Sequence, residues 1–249
     1  MELTIGRYSH FVNTILQLSS QKKGYYTCVA NVHMFVEAYK SKSFSEVVNN
    51  AAIVTPDGKP LCWALKILHG IKQERVAGMD LLPDLLREAA SAKTPVYFYG
   101  GQASLLEKTR LYLQKNYPDL IVAGSYSPPF RMLSLDEEDD IANAINNSGA
   151  ELVFVVLGCP KQEKWMAKMQ GRINSMMIGV GGALPVMIGI QKRAPRWMQK
   201  YGLEWFYRLL QEPGRLLKRY AVTNTIFLYL LTKAFLSKKL SKGSSGQKK

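Results

Sequence analysis

Short runs that are apolar at consecutive positions alternate with longer segments of helical period, and this alternation limits the chain to few architectures. The short runs are YYTCVAN (25–31), AAIVT (51–55), PVYFYG (95–100), LIVAG (120–124), ELVFVVLG (151–158) and SMMIGVG (175–181). A strand such as VFVVLG has no polar face to offer water, so it must be covered on both sides. Between the runs, VHMFVEAYKS, PLCWALKILHG, DLLPDLLREAA, ASLLEKTRLYLQKN, SLDEEDDIANAINNSG and PKQEKWMAKMQGR read as helices. Ser134 and Glu137 form an S-x-x-E capping box, and Gly70 and Gly149 stand where helices should end. The pattern predicts an α/β fold, a Rossmann-like parallel sheet flanked by helices on both faces. In such folds ligands bind beyond the carboxyl ends of the strands.

The net charge of +14 is concentrated at one end. Residues 192–249 hold fourteen Lys and Arg against Glu204 and Glu212, a segment charge of +12, whereas residues 1–191 carry only +2. The sequence therefore divides into an α/β body, 1–191, and a helical basic C-terminal appendage, 192–249, whose partner should be anionic. Within the appendage Tyr220–Thr232 is free of charge for thirteen residues. A membrane-spanning helix needs about 20 apolar residues, so no span is predicted. Apolar surface flanked by Lys and Arg suits a helix lying at an anionic membrane surface. Nucleic acid would leave IFLYLL unexplained and is not expected as a partner. The plainer alternative is a core helix followed by a solvated basic tail, and KGSSGQKK reads as disordered.

Three cysteines (Cys28, Cys62, Cys159) and three histidines (His10, His33, His69) show no ligand spacing. No disulfide framework, metal or cofactor is predicted. Asp136 to Asp140 belong to the first turn of a capped helix, where acids complement the dipole. The N-terminal MELTIGRYSHFVNTILQL lacks a secretory h-region, so a cytoplasmic location is expected.

The strand ends present Asn31, Thr55-Pro56-Asp57-Gly58, Gly100-Gly101, Ser127-Pro128-Pro129, Gly158-Cys159-Pro160-Lys161-Gln162 and Gly181-Gly182. Small residues and exposed N–H groups allow a phosphate to approach closely, which fits a nucleotide or nucleotide sugar. There is no G-x-x-x-x-G-K-[ST], and GVGGAL is only part of a dinucleotide fingerprint. Asp57 projects from a strand end and has the chemistry of a general base. The alternative is a P-D-G turn, in which Asp bonds the backbone and Gly takes positive φ. Arg75 is either an anion clamp or an ion-pair partner of Glu74 or Asp80. Lys161 and Gln162 face either the ligand or solvent at the start of a helix. Trp197, Trp205, Phe206 and Tyr207 are expected to pack the appendage on the body.

Taken together, VTPDGKPLCWALKILHG with ERVAGMDLLPDLL, YSPPF, LGCPKQEKW, GVGGAL and KRAPRWMQKYGLEWFYRLLQEPGRLLKRY resemble the WecG/TagA/CpsF family, glycosyltransferase family 26, from about Asn31 to Tyr220. The resemblance implies an inverting, metal-independent enzyme of bacterial surface polysaccharide synthesis. Such an enzyme transfers a sugar from a UDP-sugar donor to a polyprenyl-diphosphate-linked glycan acceptor at the inner face of the cytoplasmic membrane. It makes residues 1–191 the catalytic domain, Asp57 the base, and Asn31, Arg75 and Gln162 its catalytic partners. Gly100, Gly101, Tyr126, Gly158, Pro160, Lys161, Gly181 and Gly182 become candidates for nucleotide and diphosphate binding. Arg208, Arg215 and either Lys218 or Arg219 would come from the appendage, since guanidinium groups can meet the charge on a diphosphate leaving group.

Two positions depart from the family pattern. Val29 stands where a threonine is common, with Thr27 the nearest substitute, and Pro185 lies near a usual aspartate. A hexose, uronic acid or N-acetylhexosamine therefore all remain open as the donor sugar. Burial of part of the appendage by homo-oligomerisation is a further expectation. The rival readings are a nucleotide-binding regulatory module and a basic membrane adaptor without turnover.

Overall fold

The computed structural model describes residues 1–245 of the chain. Six parallel strands form one sheet: β1 (Tyr26–Ala30), β2 (Ile53–Pro56), β3 (Val96–Tyr99), β4 (Val122–Tyr126), β5 (Leu152–Val155) and β6 (Met176–Gly179). Their order is β2-β1-β6-β5-β3-β4. Every apolar run contributes one strand, and the sheet explains why those runs are apolar throughout. In β3 and β5, Val96, Phe98, Leu152 and Phe154 join one core with α1 (Tyr8–Ser19), α5 (Gly78–Ala92) and α6 (Ala103–Asn116). The alternating residues Tyr97, Tyr99, Val153 and Val155 join a second core with α2 (Val32–Lys40), α3 (Lys42–Asn49), α7 (Leu135–Asn147) and α8 (Lys161–Met169). Each fully buried aliphatic or Phe side chain in these layers contributes about 1.5–3 kcal/mol.

β4 lies two residues later than the LIVAG run. Its register against β3 shifts between Val96 and Tyr97, and as an edge strand it stays partly exposed. The punctuation is where the sequence placed it. The left-handed Gly70 (φ 74°) closes α4 (Lys59–His69), and Gly149 (φ 74°) follows the end of α7. Ser134 Oγ accepts from the Glu137 N–H at 3.2 Å, while Glu137 Oε2 accepts from the Ser134 N–H at 2.8 Å.

Beyond β6 come α9 (Ala183–Met187), α10 (Arg196–Lys200), α11 (Glu204–Gln211) and the 33-residue α12 (Pro213–Ser245). α12 packs across α2 and α4. Leu216, Thr223 and Phe227 are buried, and the Phe227 ring meets Phe35 edge-on at 5.6 Å. Leu217, Leu228, Tyr229, Phe235 and Leu236 stay exposed. The charge-free stretch thus has both characters considered for it, one face in the core and one in solvent. Among the described residues no helix is long and apolar enough to cross a membrane. α12 continues through Ser245, into the tail read as disordered, and residues 246–249 of that tail lie outside the described residues.

Candidate active site

β1 leads outward to β2 on one side of the sheet, and β3 leads outward to β4 on the other. The connections diverge and leave a crevice above the carboxyl ends of the central strands. It holds a cleft of about 1030 Å³, with Asn31, Asp57, Gly158 and Gly181 on the sheet side and Arg208, Arg215 and Arg219 on the side of α11 and α12.

Asp57 follows β2 directly, and its N–H donates to the Ala30 carbonyl at 2.8 Å, which fixes the direction in which the side chain leaves the sheet. Burial pushes its carboxyl above the usual aspartate range; Arg75, Arg208 and a hydrogen bond from the Gly78 N–H draw it back down. Gly78 opens α5, so the carboxylate takes up one of the donors that a helix start leaves unpaired. Gly58 has φ −88° and caps α4, so the P-D-G turn with positive φ at glycine does not form. A carboxylate made more basic by burial, with two guanidinium groups opposing that shift, has the makings of a general base.

Asn31 caps α2, its Oδ1 accepting from the Met34 N–H at 3.1 Å, and lines the cleft beside Asp57. Gln162 is buried rather than on a helix surface. Its Oε1 accepts from the Gly158 N–H at 3.0 Å, and its Nε2 donates to Glu163 Oε1 at 2.8 Å. A Cβ at Gly179 would stand 2.7 Å from Gln162 Nε2, so that glycine makes room for the amide under the loop. Burial raises the Glu163 carboxyl, which lies behind this arrangement.

Arg75 pairs with Asp80 at 3.2 Å, as one reading of the sequence had it, but its second partner is Glu204 of α11 rather than Glu74. Arg193 completes a ring, 2.5 Å from Asp80 Oδ1 and 3.8 Å from Glu204 Oε1. The four charges cancel and tie the start of α5 to the C-terminal segment. Arg208 reaches in from α11, its Nη2 only 2.5 Å from where a Cβ at Gly182 would stand. Arg215 is engaged by Glu212 while lining the cleft.

Gly101, Gly158, Gly181 and Gly182 line the cleft. Gly100, Tyr126, Pro160, Lys161 and Lys218, all candidates from the sequence, do not. Gly100 takes φ 101°, and a Cβ there would meet Leu157 Cδ2 at 2.8 Å and Val156 O at 2.9 Å, so its role is packing. Tyr126 ends the edge strand and stacks on Tyr99 at 6.2 Å. The Cys159-Pro160 peptide is cis, and Lys161 beyond it points to solvent. Lys218 is exposed on α12, so the third cation of this side is Arg219. Val29 and Pro185 line the cleft, whereas the Thr27 hydroxyl is buried without a partner below it and cannot replace the missing threonine. Trp205 meets Tyr220 edge-on at 5.7 Å and lines the cleft, while Trp197 is largely exposed, so the aromatics join α11 to α12 more than to the body.

His33, set aside for want of ligand spacing, sits in the first turn of α2 in the cleft wall with both ring nitrogens buried and its Nδ1 3.8 Å from Glu37 Oε1. Burial and Arg219 hold its pKa below the usual value. A solitary histidine carries no pattern, so nothing in the sequence singled it out. Among the described residues no group of three or more His, Cys, Asp or Glu is placed to hold a metal ion.

A family model described as glycosyl transferase WecG/TagA/CpsF family matches residues 1–241. The chain is 32% identical over 208 residues to an N-acetylglucosaminyldiphosphoundecaprenol N-acetyl-β-D-mannosaminyltransferase of Bacillus spizizenii, covering 83% of this chain and 78% of the relative. Proteins of the same description in Bacillus subtilis (30% identity; 78% of this chain, 75% of the relative) and Staphylococcus aureus strain MW2 (30%; 82% and 78%) match comparably. With its parallel α/β sheet and the cleft at its strand ends, the chain belongs to the WecG/TagA/CpsF family of glycosyltransferases.

Proposed function

We propose that the protein is an inverting transferase that moves a hexose, uronic acid or N-acetylhexosamine from a UDP-sugar to a polyprenyl-diphosphate-linked glycan in bacterial surface polysaccharide synthesis. The observation that carries this reading is one half-buried carboxylate, Asp57, lining the same cleft as Arg208, Arg215 and Arg219. The relatives' names support the acceptor class, since they act on an N-acetylglucosaminyl diphosphoundecaprenol.

In the reaction, Asp57 takes the proton of the acceptor hydroxyl as its oxygen attacks C1 of the donor sugar. The new O–C1 bond forms opposite the breaking C1–O bond to the diphosphate, which inverts the centre, and UDP leaves with the electron pair. Arg208, with the backbone N–H of Gly182, is the group offered to its charge. Asn31 is offered to the substrate hydroxyls, Gln162 holds the Gly158 loop in place, and Arg75 acts on Asp57 and on α11. The basic, apolar outer face of α12 would bring the enzyme to the inner face of the cytoplasmic membrane, close to its acceptor.

The test is UDP release over a panel of UDP-hexoses, UDP-uronic acids and UDP-N-acetylhexosamines with and without a polyprenyl-diphosphate glycan. Acceptor-dependent release from one donor is expected. UDP binding without release from any donor would make the protein a binding module instead. In the same preparation, Phe235→Ser with Leu236→Ser should weaken sedimentation with anionic liposomes, and unchanged sedimentation would remove α12 as the membrane contact.

A further inference from the structure

The cleft does not end at its polar residues. It continues between α4 and α12 as a groove walled by Trp63 and Ile67 on one side and by Phe227, Leu228 and Leu231 on the other. Helical spacing builds both walls. On α4, Lys59, Trp63 and Ile67 follow at intervals of four and share one face, starting two residues after Asp57. On α12, Arg219, Thr223, Phe227 and Leu231 do the same, with Arg215 one turn earlier. The α12 wall changes from cationic to hydroxyl to wholly apolar over Arg215–Leu231, about 24 Å of helix. Trp63, Ile67 and Leu228 are 48%, 46% and 60% exposed, and they are aligned along one groove rather than scattered. Lys238 Nζ donates to the Leu68 carbonyl, so the outer ends of the two helices are tied.

We propose that this groove holds the first isoprene units of the acceptor's polyprenyl chain, with the acceptor diphosphate at Arg215 and Arg219. The inference rests on the transferase reading above and adds the place and the residues. Along the cleft a base is followed by cations and then by apolar walls, matching sugar, diphosphate and lipid in a polyprenyl-diphosphate glycan. A nucleotide sugar has its diphosphate followed by a polar nucleoside, which the Trp63–Leu231 end does not suit. A flat bilayer surface would use a convex face, whereas these side chains line a concavity continuous with the site.

The test compares wild type with Trp63→Ser and Leu228→Ser, both at exposed positions, using two acceptors that share glycan and diphosphate. One carries an undecaprenyl chain and the other a methyl group in its place. Wild type should favour the undecaprenyl acceptor in kcat/KM, and each variant should lose about tenfold with it while keeping its rate with the methyl acceptor. The KM for UDP-sugar and sedimentation with liposomes should not change. Equal loss with both acceptors, no loss with either, or a loss that follows liposome binding would overturn the proposal. Direct binding of undecaprenyl diphosphate and of methyl diphosphate separates the two readings. If turnover is absent but wild type prefers the undecaprenyl compound and the variants do not, the transferase reading fails and the groove stands. If wild type shows no preference in binding, the groove assignment fails.

Discussion

Glu204→Gln is the perturbation for which the structure gives a local magnitude. The side chain loses its charge and keeps its volume, leaving Arg75 with Asp80 alone and Arg193 with one carboxylate instead of two. The Arg75 and Glu204 side chains are 11% and 19% exposed, so water replaces the lost partner poorly. A hydrogen bond to a charged group contributes about 1.5–3 kcal/mol, and because Asp80 still neutralises Arg75 the loss should be about 2 kcal/mol rather than the larger cost of orphaning a buried ion. None of the eight residues of α11 is buried, so the helix is held by this ring, the Gln211–Lys192 hydrogen bonds and the Trp205–Tyr220 contact rather than by core packing. The cost should therefore appear as local opening. Hydrogen exchange of the α11 amides should speed up roughly 30-fold, the factor that about 2 kcal/mol represents, with no change in the central strands. Since α11 carries Arg208, kcat/KM should fall alongside. Wild-type exchange rates in α11 of the variant would refute this account of what holds the C-terminal segment over the cleft.

Three further perturbations are as specific. Gly182→Ala suits the backbone (φ −70°) but places a methyl 2.5 Å from Arg208 Nη2; melting should change little while kcat/KM falls at least tenfold, and unchanged kinetics would place Arg208 elsewhere during the reaction. Because the Asp57 carboxyl lies above the usual range and the base must be ionised, kcat/KM should decline as pH falls through a value above about 3.9, and Arg208→Gln, which removes a lowering charge, should move that acid limb to higher pH. Glu163, raised by burial, binds a proton in the folded chain over pH values at which the unfolded chain has released it, so stability falls as pH rises from the ordinary glutamate value towards the raised one. Glu163→Gln, isosteric with the neutral acid, should remove that decline and stabilise the fold at neutral pH, as denaturant titrations at pH 5 and pH 8 would show.

The sheet was legible because runs such as ELVFVVLG are apolar on both faces, and only a strand between two helical layers buries both. The helical period of α1 (Phe11, Val12, Ile15 inward) is also present in the sequence, but weighed only against a leader peptide it yields no element. The chemistry at the strand ends was partly legible, since Asp57, Asn31 and the glycines after β5 and β6 have no room to be elsewhere once the strands are placed. What depends on distance along the chain was not: Arg75 and Glu204 are 129 residues apart, and local spacing could offer only Glu74 and Asp80. Gly100 and Lys161 show a different limit. They stand at strand ends, yet Gly100 is held against Val156 and Leu157 and the Lys161 side chain is exposed to solvent.

The most direct test of the central claim is turnover by Asp57→Asn with the active donor and the lipid-linked acceptor, measured beside the affinity for that donor. If Asp57 is the base, kcat falls by about 10²–10⁴ while donor Kd stays within a few-fold of wild type. Turnover within a few-fold of wild type in the variant would contradict the claim, and so would donor affinity lost in proportion to rate.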